Sequence, residues 1–311
     1  MISQTFRVCV LAGLLAIFAV GRYQASAQEN PLARITPVGE IETVKTGFAF
    51  TEGPAWDPRG SLYFSDIPNA TIHRLSEGDK LSTFTDDSKH TNGIMVAADG
   101  RMLACQMDGQ VVAYDVQSGQ AKLLAGTYQG KRFNAPNDLV IDKEGGIYFT
   151  DPLFRAPQPL PQGVQAVYYI PADGETQRVT DDLAAPNGIG LSPDGKRLYV
   201  IPSQQAEMLV YDVTAPGQLS GGRTFCRLTQ PPGMDGTGGD GMTVDVQGNV
   251  YITTRLGVEI FSPQGNQLGL VEFPEQPANV TFGGAEGTTL YVTARTGLYR
   301  VAMPIAGLKP N

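Results

Sequence analysis

One short pattern occurs six times in this chain: an oxygen-bearing head residue, an apolar run, a polar turn with a glycine eight residues after the head, and a second apolar run. The heads are Glu52, Asn92, Asn137, Asn187, Asp240 and Asn279, and the glycines are Gly60, Gly100, Gly145, Gly195, Gly248 and Gly287. Successive heads lie 40, 45, 50, 53 and 39 residues apart, the period of a β-propeller blade rather than of a helical solenoid.

Between heads, each period holds apolar runs of strand length bounded by Gly, Pro, Asp or Asn, and no helical period competes with them. After Asn92 the runs are 93–96, 102–105, 111–116 and 121–125; after Asn187 they are 189–191, 197–201, 208–213 and 223–228. The expected fold is therefore all-β, a six-bladed propeller with four antiparallel strands per blade. The last period offers only three runs, 280–282, 289–293 and 298–303, while a spare run at 40–45 precedes Glu52. The N-terminal run is expected to complete the last blade and remove its open edge. In this arrangement all six heads lie at one end of the propeller near its axis. The same face carries the links between second and third strands, with Asp151, Arg255, Arg295 and the long loops 152–165 and 230–239.

Residues 1–27 read as a leader, not as part of the fold. Arg7 precedes an apolar run from Val8 to Val20, and Ala25-Ser26-Ala27 is a small-x-small cleavage signal before Gln28. The run is too short for a comfortable membrane span, so the expectation is an exported chain, periplasmic or extracellular, with a single propeller domain over 28–311. Residues 1–27 hold Arg7 and Arg22 and no acid, so without them the net charge moves from −8 to −10. An acidic chain with no basic cluster has no electrostatic footprint for nucleic acid. Cys105 and Cys226 fall in non-adjacent blades, too far apart for a bond that needs Cα atoms within roughly 7 Å, and both are expected free.

Six converging oxygen donors suit a hard divalent cation. Ca²⁺ takes six to eight oxygen ligands, and Mg²⁺ prefers octahedral oxygen. Zn²⁺ usually takes His or Cys, and His73 and His90 have no ligand partner at useful spacing. Glu52 and Asp240 together would neutralise one divalent ion, and Asn137 and Asn187 add neutral carbonyl oxygens. Asn-Gly and Asp-Gly are also strong turn signals, so Asn92-Gly93, Asn187-Gly188 and Asp240-Gly241 have a second reading as turns alone. That reading does not account for Glu52 in Glu-Gly-Pro. Asn92 and Asn279 fit either a water-mediated role or packing around the axis. His90, two residues before a head, is either a substrate contact or a solvated loop residue. Gly236-Thr237-Gly238-Gly239-Asp240-Gly241 matches the dinucleotide pattern G-x-G-x-x-G in letters, but no helix is expected after it. The sequons at Asn69 and Asn279 carry little weight, the second falling on the axis.

Phe50-Thr51-Glu52-Gly53-Pro54, Phe133-Asn134-Ala135-Pro136-Asn137-Asp138, Tyr148-Phe149-Thr150-Asp151-Pro152, Pro186-Asn187-Gly188 and Gly239-Asp240-Gly241-Met242 resemble the senescence marker protein (regucalcin), gluconolactonase and lactone hydrolase family. The resemblance covers nearly the whole chain after residue 27. It implies one catalytic divalent metal in the axial channel, most readily Ca²⁺, with Mg²⁺, Mn²⁺ or Zn²⁺ as alternatives. It also implies Glu52, Asn187 and Asp240 as ligands, Asn137 as a substrate-binding or additional ligand, and Asp240 as general base. A family arginine two residues before that asparagine is replaced by Ala135, with Arg132 nearby. The expected partner is a small lactone, a sugar-acid lactone above all, with Arg132, Asp151, Arg255 and Arg295 as further contacts or plain solvated charges. Phosphotriester or aryl-ester hydrolysis on the same site is the neighbouring reading, and a non-catalytic sugar- or protein-binding propeller the more distant one.

Overall fold

Each sequence repeat becomes one four-stranded antiparallel sheet in the computed structural model, which describes residues 34–309 together with Met1. The expected leader, 1–27, thus lies outside the described residues, Met1 aside. The chain divides into Met1–Leu32 and a unit Ala33–Asn311, which holds all six four-stranded sheets.

The inner strand of each sheet begins within two residues of its head: Thr51–Asp57, Thr91–Val96, Leu139–Ile141, Pro186–Leu191, Met242–Val244 and Pro277–Gly283. Each inner strand packs against the next, and the sixth returns to the first, so the ring is closed. The glycine eight residues after each head has a left-handed φ, between +70° and +97°, and donates to the carbonyl three residues back. Glycine adopts this conformation without a Cβ penalty, which is why the first hairpin of every blade turns at the same repeat position.

The core is six wedges rather than one centre. Between blades one and two lie Tyr63, Ile72, Met102 and Tyr114; between two and three, Cys105, Phe133, Phe149 and Tyr168. Tyr148, Val167, Leu198 and Val200 fill the third interface, and Tyr199, Met208, Ile252 and Phe261 the fourth. Tyr251, Ile260, Leu290 and Val292 fill the fifth, and Leu62, Phe64, Tyr291 and Leu298 the sixth. Each large aromatic buries roughly 150–250 Å², so the blade-to-blade seams carry the apolar stabilisation.

The spare N-terminal strand closes the last blade as expected. Glu42–Thr46 pairs antiparallel with Gly297–Ala302, Glu42 opposite Arg300, and Arg300 ion-pairs with both Glu42 and Asp79 of blade one. Observed strand ends differ from the expected runs by up to three residues, with one larger difference. The outer hairpin of blade four runs Glu207–Ala215 and Gln218–Arg227, because Gly217 turns the chain earlier than the apolar run at 223 suggests. A two-stranded ribbon, Thr127–Tyr128 with Lys131–Arg132, was not expected; Gln129 and Gly130 both have positive φ, the geometry of a two-residue hairpin turn. Cys105 and Cys226 are free and buried. No helix among the described residues is long and apolar enough to cross a membrane.

Candidate functional site

The heads are not hairpin turns. Register breaks fall between Glu52 and Ala55, Thr91 and Ile94, Pro186 and Ile189, and Pro277 and Asn279. In blade three, Asn137 donates to the Thr150 carbonyl while Thr150 donates to that of Asp138. Asp240, Gly241 and Thr253 repeat this in blade five. Two residues thus oppose one, a β-bulge, and a bulge re-aims a side chain that strict alternation would have sent elsewhere. The glycines after the heads serve close approach between blades. The Gly93 amide donates to the Asn137 carbonyl at 2.7 Å, and that of Gly188 to the Asp240 carbonyl at 2.8 Å. A Cβ on Gly188 would lie 2.5 Å from that carbonyl oxygen.

Glu52, Asn92, Asn137, Asn187 and Asp240 come together at one cavity of about 590 Å³. Each of these five side chains is buried or nearly so. Asn187 Nδ2 donates to Asp240 Oδ1 at 2.6 Å and to Ser203 Oγ at 3.0 Å, which leaves its Oδ1 as an acceptor. Glu52 Oε2 accepts from the Gly53 amide at 2.9 Å. Burial, and then repulsion from Asp240, push the Glu52 carboxyl well above the usual range. Burial pushes Asp240 up to about 7, against the opposing pull of the Asn187 amide and the charge of Arg295. Asn137 Oδ1 and Asn92 Oδ1 are buried with no hydrogen-bond partner. An orphaned buried acceptor costs about 1–3 kcal/mol.

Two repelling carboxylates beside two unsatisfied amide oxygens form a donor set that fits a hard cation. No group of three or more His, Cys, Asp or Glu side chains suited to a metal occurs among the described residues. The set therefore depends on asparagine oxygens and favours an oxygen-seeking ion over a thiolate- or imidazole-seeking one.

Asn279 is not among the cavity-lining residues, but its side-chain amide faces the carboxyls of both Glu52 and Asp138. It presses on Gly241, its Oδ1 accepts from its own strand at Val280, and its Nδ2 reaches Asp138 Oδ2 at 3.5 Å. Asp138 is the functional-site neighbour that sequence reading passed over. It is buried, acts electrostatically on Glu52, accepts from the Leu139 amide at 2.9 Å, and is pushed up to about 7 by burial. Its signal was its place beside a head in a bulge, where two successive side chains can face the axis. Ser203 was also missed; it joins Asn187 to the Gly239 carbonyl and lines the cavity.

Three of the four expected outer contacts are engaged elsewhere. Asp151 is fully buried and is not a cavity-lining residue; its oxygens accept from the Asn134 and Ala135 amides, both at 2.8 Å. It holds the approach to Asn137 as Asp66, at the same repeat position, holds Ala49 and Phe50 before Glu52. That parallel, Tyr-Phe-Ser-Asp against Tyr-Phe-Thr-Asp, was present in the sequence. Arg132 is also not among the lining residues; its guanidinium folds back on the Phe133 and Asn134 carbonyls. Arg295 stacks over Phe50 and donates to Gln276. Arg255 does line the cavity, and so does Arg155. His90 pairs with Asp108 at 3.0 Å, and His73 packs on Phe48 and Phe64. No helix follows Gly236–Gly241, and Asn69 donates to Asp66.

A closed six-bladed propeller whose axial cavity is floored by acidic and amide oxygens defines the class of protein. The chain matches the SMP-30/gluconolactonase/LRE-like region over residues 50–296 and belongs to that family. It is 32% identical over 287 residues to a gluconolactonase of Zymomonas mobilis, covering 84% of this chain and 80% of that protein. It is 26% identical over 257 residues to regucalcin of Sus scrofa, covering 79% and 84% respectively. A solved Xanthomonas campestris structure, described as a gluconolactonase important in glucose secondary metabolic pathways, is 31% identical. It superposes with a TM-score of 0.79 over 88% of this chain and 95% of its own.

Proposed function

We propose that this chain hydrolyses a small lactone, a sugar-acid lactone, at the floor of the axial cavity. The carrying observation is the convergence of Glu52, Asn137, Asn187 and Asp240 there, with the buried Asn137 Oδ1 lacking a hydrogen-bond partner. The names of the relatives support the substrate class.

Glu52, Asn137, Asn187 and Asp240 would hold a divalent cation, Ca²⁺ in the first instance, which when bound supplies Lewis-acid polarisation of an acyl oxygen. Asp240 takes the proton of the attacking water as the new C–O bond forms at the lactone carbonyl. Collapse breaks the ring C–O bond, and the same carboxyl returns the proton to the departing alkoxide. Asn187, held by Ser203, fixes which way Asp240 faces. Phe50, Ile67, Met107 and Phe154 give the cavity an apolar wall that limits water around the site. Export from residue 28 onward belongs to the same proposal.

A panel of aldonolactones and neutral lactones, assayed on chelated protein with and without added Ca²⁺, Mg²⁺, Mn²⁺ and Zn²⁺, tests it. Turnover that appears only with an added ion supports the proposal. Full turnover of elementally metal-free protein, or no lactone turned over with any ion, refutes it.

A further inference from the structure

We infer that the substrate of this site bears an anionic group, a carboxylate or phosphate remote from the lactone carbonyl, which Arg155 and Arg255 bind. The inference rests on the lactonase reading for the reaction but on separate residues for the specificity.

The charged side chains lining the cavity are Glu52 and Asp240 at its floor and Arg155 and Arg255 toward solvent. The two arginines come from different blades. Arg155 lies in the loop between the second and third strands of blade three, and Arg255 in the tight turn between the corresponding strands of blade five. Neither makes a hydrogen bond, ion pair or ring contact with any described residue, whereas Arg132 and Arg295 on the same face are engaged. Nor is either in an ion pair with the floor carboxylates Glu52 and Asp240. Two unpaired guanidiniums therefore face one cavity in a chain whose net charge is −8.

The loop that carries Arg155 is tied down. Gln165 accepts from the Leu153 amide at 3.0 Å, Asn134 donates to the Val164 carbonyl at 2.9 Å, and Gln162 caps the Lys131 and Arg132 carbonyls. Arg155 itself holds a left-handed backbone, φ +57°, which a side-chain-bearing residue seldom adopts. The guanidinium is thus presented from a fixed base. A guanidinium fork matches the geometry of carboxylate or phosphate oxygens. A neutral polyol would need only the hydroxyls and amides also present, Ser203, Thr254 and Gln276 among them.

The test compares glucono-1,5-lactone, a glucarolactone and 6-phosphogluconolactone on wild type, R155Q, R255Q and the double variant, with the cation that supports turnover. At low ionic strength we expect kcat/KM for at least one anionic lactone to exceed that of the neutral one by about 10-fold or more. That ratio should shrink as salt is raised and fall by about 10-fold in the double variant, mainly through KM. Which anionic lactone is preferred separates carboxylate from phosphate recognition. A neutral lactone turned over as well as both anionic ones, or a ratio unmoved by salt and by both substitutions, overturns the inference. If no lactone is hydrolysed, calorimetric binding of glucarate and of 6-phosphogluconate against gluconate decides it alone. Tighter binding of either that is lost in the double variant supports the anion site, and equal binding of all three to wild type refutes it.

Discussion

The amide of Asn187 reaches across the seam between blades four and five to Oδ1 of Asp240, at 2.6 Å. One neighbour therefore holds the proposed base in place while itself being held by Ser203. Asp240→Asn keeps an oxygen that can accept from Asn187, so the seam should survive. It removes the base and one of two ligand charges together, and turnover should fall by about 10²–10⁴ at saturating cation. Glu52→Gln removes a charge but not the base, so excess cation should restore much of its turnover. Steady-state kinetics across a cation titration separates the two. Equal rescue would make Asp240 a ligand only and move the proton acceptor elsewhere.

Gly188→Ala probes why glycine follows a head. The new Cβ would sit 2.5 Å from the Asp240 carbonyl oxygen and 3.0 Å from the Gly241 carbonyl carbon, both backbone atoms that cannot swing aside. Blades four and five must part slightly, at roughly 1–3 kcal/mol, and the shift should also weaken cation affinity. Denaturant midpoints and a cation titration report the two effects. An unchanged midpoint would mean that this seam tolerates displacement.

How much of this was legible in the sequence depended on what repeats. The six heads, the turn glycines and the orphan N-terminal strand recur in register, and a recurring feature declares its place. Asn-Gly and Asp-Gly carried a second reading as turns because a turn and a close blade contact ask for the same residue. Only the backbone distinguishes them, by placing two head residues against one partner. Asp138 was hidden by the alternation rule, which a bulge suspends. Asp151 was misjudged because it stands at the end of a strand beside the cavity face. Its twin Asp66 shows that this repeat position secures the incoming chain. Arg155 stood in a loop with no repeat counterpart, and nothing in the sequence aimed it.

Ring closure rests on a strand taken from the other end of the chain. A chain beginning at Gly47 would lose Glu42–Thr46 and the Glu42–Arg300 ion pair, and expose the edge of Gly297–Ala302. A chain beginning at Arg34 keeps all of these. We expect the shorter chain to aggregate, or to melt at least about 10 °C lower. Light scattering with thermal melts of the two chains side by side measures this. Matching behaviour would mean that the three remaining strands suffice for blade six.

Proton linkage gives the buried carboxylates a stability signature. Asp138, Asp240 and Asp151 are each pushed up to about 7 by burial, and Glu52 is raised in the same direction. Between roughly pH 4 and pH 7 the folded chain therefore keeps protons that the unfolded chain has released, and stability falls as pH rises. The contribution is full below about pH 4 and is lost as pH passes the raised values. Asp99 and Asp115, whose carboxyls are lowered by hydrogen bonds, act at more acid pH and do not offset it in this window. Metal-free protein should accordingly melt roughly 5–10 °C lower at pH 8 than at pH 5. A cation that takes the place of protons on Glu52 and Asp240 should flatten this slope without abolishing it, because Asp138 and Asp151 keep their burial. Calorimetry at pH 6 in two buffers of different ionisation enthalpy should register proton release on cation binding. A melting temperature that rises from pH 5 to pH 8 in the chelated protein would contradict the assignment of these buried groups, and cation binding without proton release would place the ion away from Glu52 and Asp240.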